Sequence, residues 1–435
     1  MTAANALDTN LSRIRAIEED ISAGNLQQAA DSLNSLVAST PQDPRIYLAG
    51  ALLARAAKNP QQEIMALQRA VEFAPRWPRV YLELAKALSR MGRHAEAVAM
   101  ANKGVALAPR EMVALEIAVA VANAAGDPLT AQQHLQSAFA LRPADTSIRK
   151  ALGMCLVNQR RFDEAEPHWR AILAQNPDDL TALAWLGMYL IDVEQKDEAS
   201  LLLQHAVELA PDNPSIAFYL AIARGETPST QPTDMIRQFF DGYANRFDKH
   251  LVEQLKYGVP KRVAEIIRGR QSNMDVSVLD LGCGTGLLGA CLGRIGKAFV
   301  GVDVSAKMIE KATTRGVYTD LRQNDLLDEL GSIAADSFDY IIANDVFIYV
   351  GDLSAIIPAA FKALHRGGAL IFSCEAADDS EGALVLRPSK RYAHSRSSIE
   401  KLCREAGFSS CDIEPIELRV EKQVPIAGFI ALAQK

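Results

Sequence analysis

The sequence predicts a two-part chain: an all-α superhelix of stacked helical hairpins, followed by an α/β domain built on a mixed, mostly parallel sheet. Three observations carry this. Through the first half, prolines recur at Pro41, Pro75, Pro109, Pro143, Pro177 and Pro211, each 34 residues after the last, as an internal repeat requires. Beyond Gly225 apolar runs of strand length, VSVLDL, AFVGVDV, FDYIIAN and ALIFSCE, alternate with helix-like stretches, which argues for a parallel sheet wrapped by helices. Between the two lies GETPSTQPT (Gly225 to Thr233), which has no apolar periodicity and reads as a linker. The expected organisation is a repeat domain over 1–225, a linker over 226–234 and a second domain over 235–435.

Within the repeats, the position twelve before each proline holds Ala29, Ala97, Ala131, Ala165 and Ala199, with Glu63 the exception. Small residues there let two helices approach closely. Eight before stand Leu33, Leu67, Ala101, Leu135, Trp169 and Leu203, and 24 before the later prolines stand Ala51, Ala85, Val119, Gly153 and Gly187. Each repeat reads as two short amphipathic helices, with the proline breaking the chain before the next hairpin because it lacks an N–H and biases its predecessor away from helix. Runs such as LGMCLVNQRRFDEAEPHWRAILAQNPDD resemble the tetratricopeptide repeat. The resemblance covers residues 10–213 as six units, the first degenerate, with SIAFYLAIARG as a closing helix. It implies a concave groove for a protein partner or peptide; scaffolding or self-association through the same surface is the alternative.

With 435 residues, about half of them apolar, the chain can bury more than one core. A net charge of -7 with no basic stripe argues against a nucleic-acid partner. The N-terminus lacks the apolar core of a secretory signal and no run of apolar residues is long enough to span a bilayer, so the expectation is a cytoplasmic protein with no membrane partner. The six cysteines form no CxxC pair and no histidine falls beside them at ligand spacing, so neither disulfides nor a metal site is expected.

The densest chemical signal is VLDLGCGTG (Val278 to Gly286), a hydrophobic strand ending in an acid and followed by alternating glycines. Glycines there admit a ligand to the backbone, at the crevice where open α/β sheets bind nucleotides. Gly284, Gly286 and Gly289 also satisfy GxGxxG, so a nicotinamide-dependent oxidoreductase competes, although the acid and Gly282 ahead of those glycines are foreign to that fingerprint. The loop closely resembles the first motif of class I methyltransferases, and with VDVSAKMIEKA the likeness extends over residues 235–435. Runs such as FFDGYANRFDKHL and FDYIIANDVFIYVGDL resemble a bacterial subgroup in which this domain follows tetratricopeptide repeats.

The resemblance implies a Rossmann-like, seven-stranded mixed sheet and S-adenosylmethionine as cofactor, released as S-adenosylhomocysteine. Its cofactor site would comprise Asp280, Gly282, Cys283, Gly284 and Gly286, then Asp303 on the ribose, Val304, Met308, Asn324 and Asp325 near the adenine, and Asn344 and Tyr243 toward the methionine end. Catalytic candidates are Asp345, Tyr349 and His394; Arg391, Tyr392 and His250 are substrate-binding candidates, with RYAHS suiting an anionic or polar acceptor. Lids are expected over 239–251 and 387–395. Against these stand plain structural roles: glycines that tighten turns, acids that cap helices. His94, His134, His168 and His205 are expected on repeat surfaces. The function expected is methyl transfer to an unidentified small-molecule or protein- or carrier-bound acceptor; the alternative is a non-catalytic repeat scaffold with a cofactor-binding domain.

Overall fold

The computed structural model describes residues 3–244, 247–248, 257–271, 273–421 and 423–435, with side chains from residue 10 onward. The chain divides into two compact units, Met1–Tyr189 and Leu190–Lys435.

The first unit holds the helices α1 (Ala3–Ala23), α2 (Leu26–Ser39), α3 (Pro44–Ala56), α4 (Pro60–Phe73), α5 (Pro78–Arg90) and α6 (His94–Leu107). They are followed by α7 (Met112–Ala124), α8 (Pro128–Leu141), α9 (Thr146–Asn158), α10 (Phe162–Gln175) and most of α11 (Leu180–Asp192). The prolines of the 34-residue repeat stand in the turns between hairpins. Several helices begin on a side-chain cap followed by proline, as at Asp43–Pro44 and Asn59–Pro60, where the missing N–H costs nothing. Ala29, Ala97, Ala131 and Ala165 are buried in the helix contacts as expected. The exception, Glu63, is also buried, and its carboxylate reaches out to Arg90 at 2.5 Å. Trp169 replaces a leucine because its partner is Gly153: a Cβ there would stand 2.7 Å from the indole. His134, expected on the surface, is buried and bonded to Asn102 Oδ1 at 2.7 Å.

The second unit opens with α12 (Lys196–Leu209) and the closing helix α13 (Pro214–Ala223), which pack on each other. There follow α14 (Thr233–Tyr243), α15 (Val259–Arg270), β1 (Val278–Leu281), α16 (Leu287–Leu292), β2 (Phe299–Asp303), α17 (Ala306–Thr313), β3 (Asp320–Gln323) and α18 (Leu326–Ser332). The unit ends with β4 (Phe338–Ala343), α19 (Ile356–Ala363), β5 (Leu364–Ala377), β6 (Leu384–Leu386), β7 (Tyr392–Ser395), α20 (Arg396–Ala406), β8 (Ser410–Glu421) and β9 (Val424–Gln434). The described strands form one nine-stranded sheet. Seven of them, in the order β3-β2-β1-β4-β5-β9-β8, are the mixed sheet expected: the first five are parallel, β9 runs antiparallel to β5, and the β8–β9 hairpin closes the edge. The further two, β6 and β7, are an inserted hairpin. Residues 369–375 of β5 pair with β9, and residues 375–377 run on to pair with β7.

Both faces of the sheet are covered, which is why its central strands read as unbroken apolar runs. Leu279, Val302, Ile341 and Phe372 point to one core, shared with residues of α19 and α20; Val278, Phe299, Ile342 and Ile371 point to the other, under α15 and α16. Among the described residues no helix is long and apolar enough to cross a membrane.

The division into compact units falls within α11, so α12 and α13 lie in the second unit, where Lys390 also pairs with Asp192 at 2.9 Å, while the repeat register runs on through Pro211. One organisational expectation changes. The stretch read as a linker is structured. Ser229 O accepts the amides of Gly351 and Asp352, Thr230 bridges Val350 in antiparallel fashion, and Gln231 donates from its amide N–H to Tyr349 O. The buried Gln231 side chain donates to Lys390 O at 2.6 Å, and Tyr392 Oη donates to Pro228 O at 2.8 Å. Proline and serine here spell an extended strap rather than a free tether.

Candidate active site

The carboxyl ends of β1, β2, β4 and β5 come together where the strand order reverses between β1 and its two neighbours, the crevice in which open α/β sheets bind ligands. After Asp280 and Leu281 the chain turns through Gly282, Gly284 and Gly286 at φ of +64°, +54° and +80°, a left-handed conformation costly for residues with a Cβ. Gly282 is also held by contact, since a Cβ there would lie 2.4 Å from Val346 Cγ2. Cys283 is buried, its amide bonded to Val302 O. Gly286 is the N-cap of α16.

Asp303 closes this loop from the end of β2. Its Oδ2 accepts the Gly284 amide at 2.9 Å and its Oδ1 the Ser305 amide at 2.8 Å, fixing the carboxylate while leaving lone pairs on both oxygens. Burial raises its pKa to about 6, partly offset by the Ser305 and Gly284 amides, with the Asp241 carboxylate adding to the rise. Asp280 is almost wholly buried and accepts Tyr318 Oη at 2.7 Å; burial pushes it up to about 7, against the pull of that hydrogen bond. Its carboxylate thus packs inward, away from the loop surface.

The remaining cofactor candidates divide. Val304 O accepts from Gln323, and Met308 is fully buried within α17, so its side chain presents no accessible surface. Asn324 bridges the Asp325 amide and Glu329, while Asp325 is the N-cap of α18, accepting Leu327 N at 2.9 Å. Helix α14 lies over these helix starts. Thr233 Oγ1 donates to Asp325 Oδ2 at 3.0 Å, and Ser305 Oγ to Asp241 Oδ1 at 2.6 Å. Tyr243, at its C-terminal end, packs with Phe239 and Phe247, and Phe240 meets the Tyr349 ring edge-on. Phe247 stands 3.6 Å from the Cβ position of Gly284, so part of the expected lid does cover the loop. Asp248 pairs with Thr285 and Arg315. His250 and residues 245–246 and 249–251 of that lid lie outside the described residues.

Beyond β4 the chain reaches Asn344, whose Oδ1 and Nδ2 are both buried without a partner, and Asp345, at a left-handed φ of +58°. The Asp345 amide donates to Ser373 Oγ at 2.8 Å; Oδ2 accepts from Arg419 at 3.0 Å, and Oδ1 is buried with no partner. Arg419, almost fully buried on β8, also meets Glu375 at 3.1 Å and Glu421 at 2.6 Å. Arg391 pairs with Glu421. Burial pushes the Asp345 carboxyl up, with Arg419 pulling it back.

The expected acceptor loop RYAHS is instead strand β7. Tyr392 is buried and its phenol is bonded to Pro228 O, which removes it from acceptor binding. His394 is buried in the same strand with Nε2 2.8 Å from Gly351 O; burial lowers its pKa and Nδ1 has no partner. Sequence reasoning missed Asp241, Tyr318, Glu375 and Arg419. Glu375 had a signal, being a strand-end acid like Asp280 and Asp303. Arg419 had none, because a register shift between Glu417 and Arg419 sets its direction.

Sheet order and crevice match the fold of class I methyltransferases. A family model described as "Methyltransferase domain" matches residues 279–372, and models described as "Tetratricopeptide repeat" match residues 18–79, 78–111, 122–184 and 180–213. These matches place tetratricopeptide repeats within residues 18–213 and a methyltransferase domain within residues 279–372. Similar curated proteins include the ubiquinone biosynthesis O-methyltransferase of Psychrobacter arcticus, 28% identical over 31% of this chain and 60% of that protein. That of Xanthomonas axonopodis is 31% identical over 25% of this chain and 47% of its own. The chain thus spans about half of the curated relatives it matches. Among solved structures, a magnesium protoporphyrin IX methyltransferase from Synechocystis with bound S-adenosylhomocysteine is 21% identical, with TM-score 0.37, over 47% of this chain and 99% of its own.

Proposed function

We propose that the chain transfers a methyl group from S-adenosylmethionine to an acceptor received at the Asn344–Tyr349 segment, while the repeats hold a protein partner, a carrier-bound acceptor or a second copy. One observation supports it above the rest: a Cβ-free glycine turn whose Gly284 amide is fixed by Asp303, with lone pairs of that carboxylate left for two ribose hydroxyls. Gly282, Gly284, Asp303 and the amide of Asn344 would hold the cofactor. When bound, it supplies a sulfonium-activated methyl group.

The chain's own part is alignment and exclusion of water. The aromatic cluster of Phe239, Phe240, Tyr243, Phe247 and Tyr349 supplies an apolar cover, and dry, fixed geometry favours a displacement that disperses charge. The names of the curated relatives support an oxygen acceptor. Calorimetric titration of the full chain with S-adenosylmethionine, S-adenosylhomocysteine and NAD tests the reading. Binding of the first two but not NAD is expected; NAD binding alone, or no binding, would overturn it.

A further inference from the structure

Buried polar side-chain atoms normally find partners, and one left without costs about 1–3 kcal/mol. Among the described residues such orphans concentrate at one place. Both amide atoms of Asn344 and Oδ1 of Asp345 are buried and unpartnered on consecutive residues, with His394 Nδ1 near the same loop through Gly351. The cations of this region show the opposite state. Arg419 meets three carboxylates, and Arg391 is held by Glu421. An anionic acceptor would find Arg391 and Arg419 already paired with carboxylates, and in the unpartnered Asp345 Oδ1 an acceptor rather than a donor.

Resting on the methyltransferase reading, we propose that Asp345 selects an acceptor whose methylated atom bears hydrogen, a hydroxyl or an amine, and rejects a carboxylate, with Arg419 as the positioning residue. The acceptor's N–H or O–H donates to Asp345 Oδ1. As the acceptor's lone pair forms the bond to the methyl carbon, the methyl–sulfur pair stays on sulfur, the pair of the N–H or O–H bond returns to the acceptor atom, and the proton ends on Oδ1. Arg419, bonded to Oδ2 from β8, leaves Oδ1 as the free acceptor of the carboxylate and pulls against the burial that raises this carboxyl. The left-handed backbone at Asp345, anchored by Ser373 Oγ, fixes where the carboxylate stands.

The test uses the full chain saturated with S-adenosylhomocysteine and three small probes, catechol, benzylamine and benzoate, with binding followed by ligand-observed NMR. Catechol and benzylamine should bind and displace one another while benzoate does not. In Asp345→Asn their affinity should fall roughly tenfold or more, the loss of a hydrogen bond to a charged group, with S-adenosylhomocysteine affinity unchanged. In Arg419→Lys, which keeps a cation, the pH at which catechol binding is lost should move upward, a change that mere destabilisation would not produce. Benzoate binding as well as catechol, no binding of either donor probe, donor affinity equal in Asp345→Asn, or an unmoved pH midpoint in Arg419→Lys would overturn the proposal. Failure of S-adenosylhomocysteine itself to bind would instead overturn the methyltransferase reading.

Discussion

The carboxylate of Asp303 gives the sharpest prediction, because its two jobs can be separated. It orders the glycine turn through Gly284 N at 2.9 Å and Ser305 N at 2.8 Å, and in the proposed function its remaining lone pairs accept two hydroxyls. Asp303→Asn keeps the shape, removes the charge and turns one donor against a backbone N–H. Losing charge-assisted hydrogen bonds worth about 1.5–3 kcal/mol each should weaken S-adenosylhomocysteine binding by about 3 kcal/mol, roughly a hundredfold in Kd. The wild-type pH profile supplies a second reading of the same group. The hydroxyls bind the ionised carboxylate, and in the free protein its pKa is raised to about 6. Affinity should be flat above that pH and fall by up to roughly tenfold per unit below it. Calorimetry at about pH 7.5, 6 and 5, on wild type and variant, measures both effects. A folded variant binding within about threefold of wild type, or a wild-type affinity unchanged at about pH 5, would refute the assignment.

Three further outcomes follow from the packing. Tyr318→Phe strips Asp280 of its hydrogen bond and should lower stability by about 1–3 kcal/mol near pH 8, as urea midpoints would record. Burial holds the folded Asp280 carboxyl up at about 7, well above the ordinary carboxylate range, so burial costs stability increasingly as pH rises from that range to about 7; at about pH 4, where the folded carboxyl is protonated, the difference between variant and wild type should shrink. Gly153→Val, driven against the Trp169 indole, should destabilise the repeats by about 1–3 kcal/mol in thermal unfolding, whereas the double change with Trp169→Leu should recover most of it. Tyr392→Phe loses the bond to Pro228 O and should cost about 1 kcal/mol, with faster hydrogen exchange at the Gly351 and Asp352 amides that the strap holds; unchanged exchange would mean the strap stands without it.

Legibility in the sequence tracked how local the physics was. The repeat register was readable because proline, small residues and helix period act within one hairpin, and Pro41 to Pro211 stand in the turns they were expected to occupy. The glycine turn and Asp303 were readable because a left-handed turn after a buried strand leaves few residue choices. Where sequence reasoning failed, a distant partner decided the outcome. RYAHS carries polar and aromatic residues that look solvent-facing, yet pairing with β5 and β6 buries Tyr392 and His394. Arg391 looked like a free cation for an anionic acceptor until Glu421, thirty residues on, came beside it. Glu63 broke the small-residue rule without breaking the fold, since Arg90 takes its charge.

The strap at Pro228–Gln231 bears on how this protein can be taken apart. It lies well ahead of the residues that match the methyltransferase family model, which begin at 279, yet its carbonyls hold the backbone after β4 and the phenol of β7. A shortened chain starting at the apparent domain edge near Gln231 would leave the Gly351 and Asp352 amides and the Tyr392 hydroxyl without acceptors. Any change this causes around β4 and β7 would then be misattributed to missing repeats. Dissecting what the repeats contribute therefore calls for changes on their own surfaces, with the joining segment left whole.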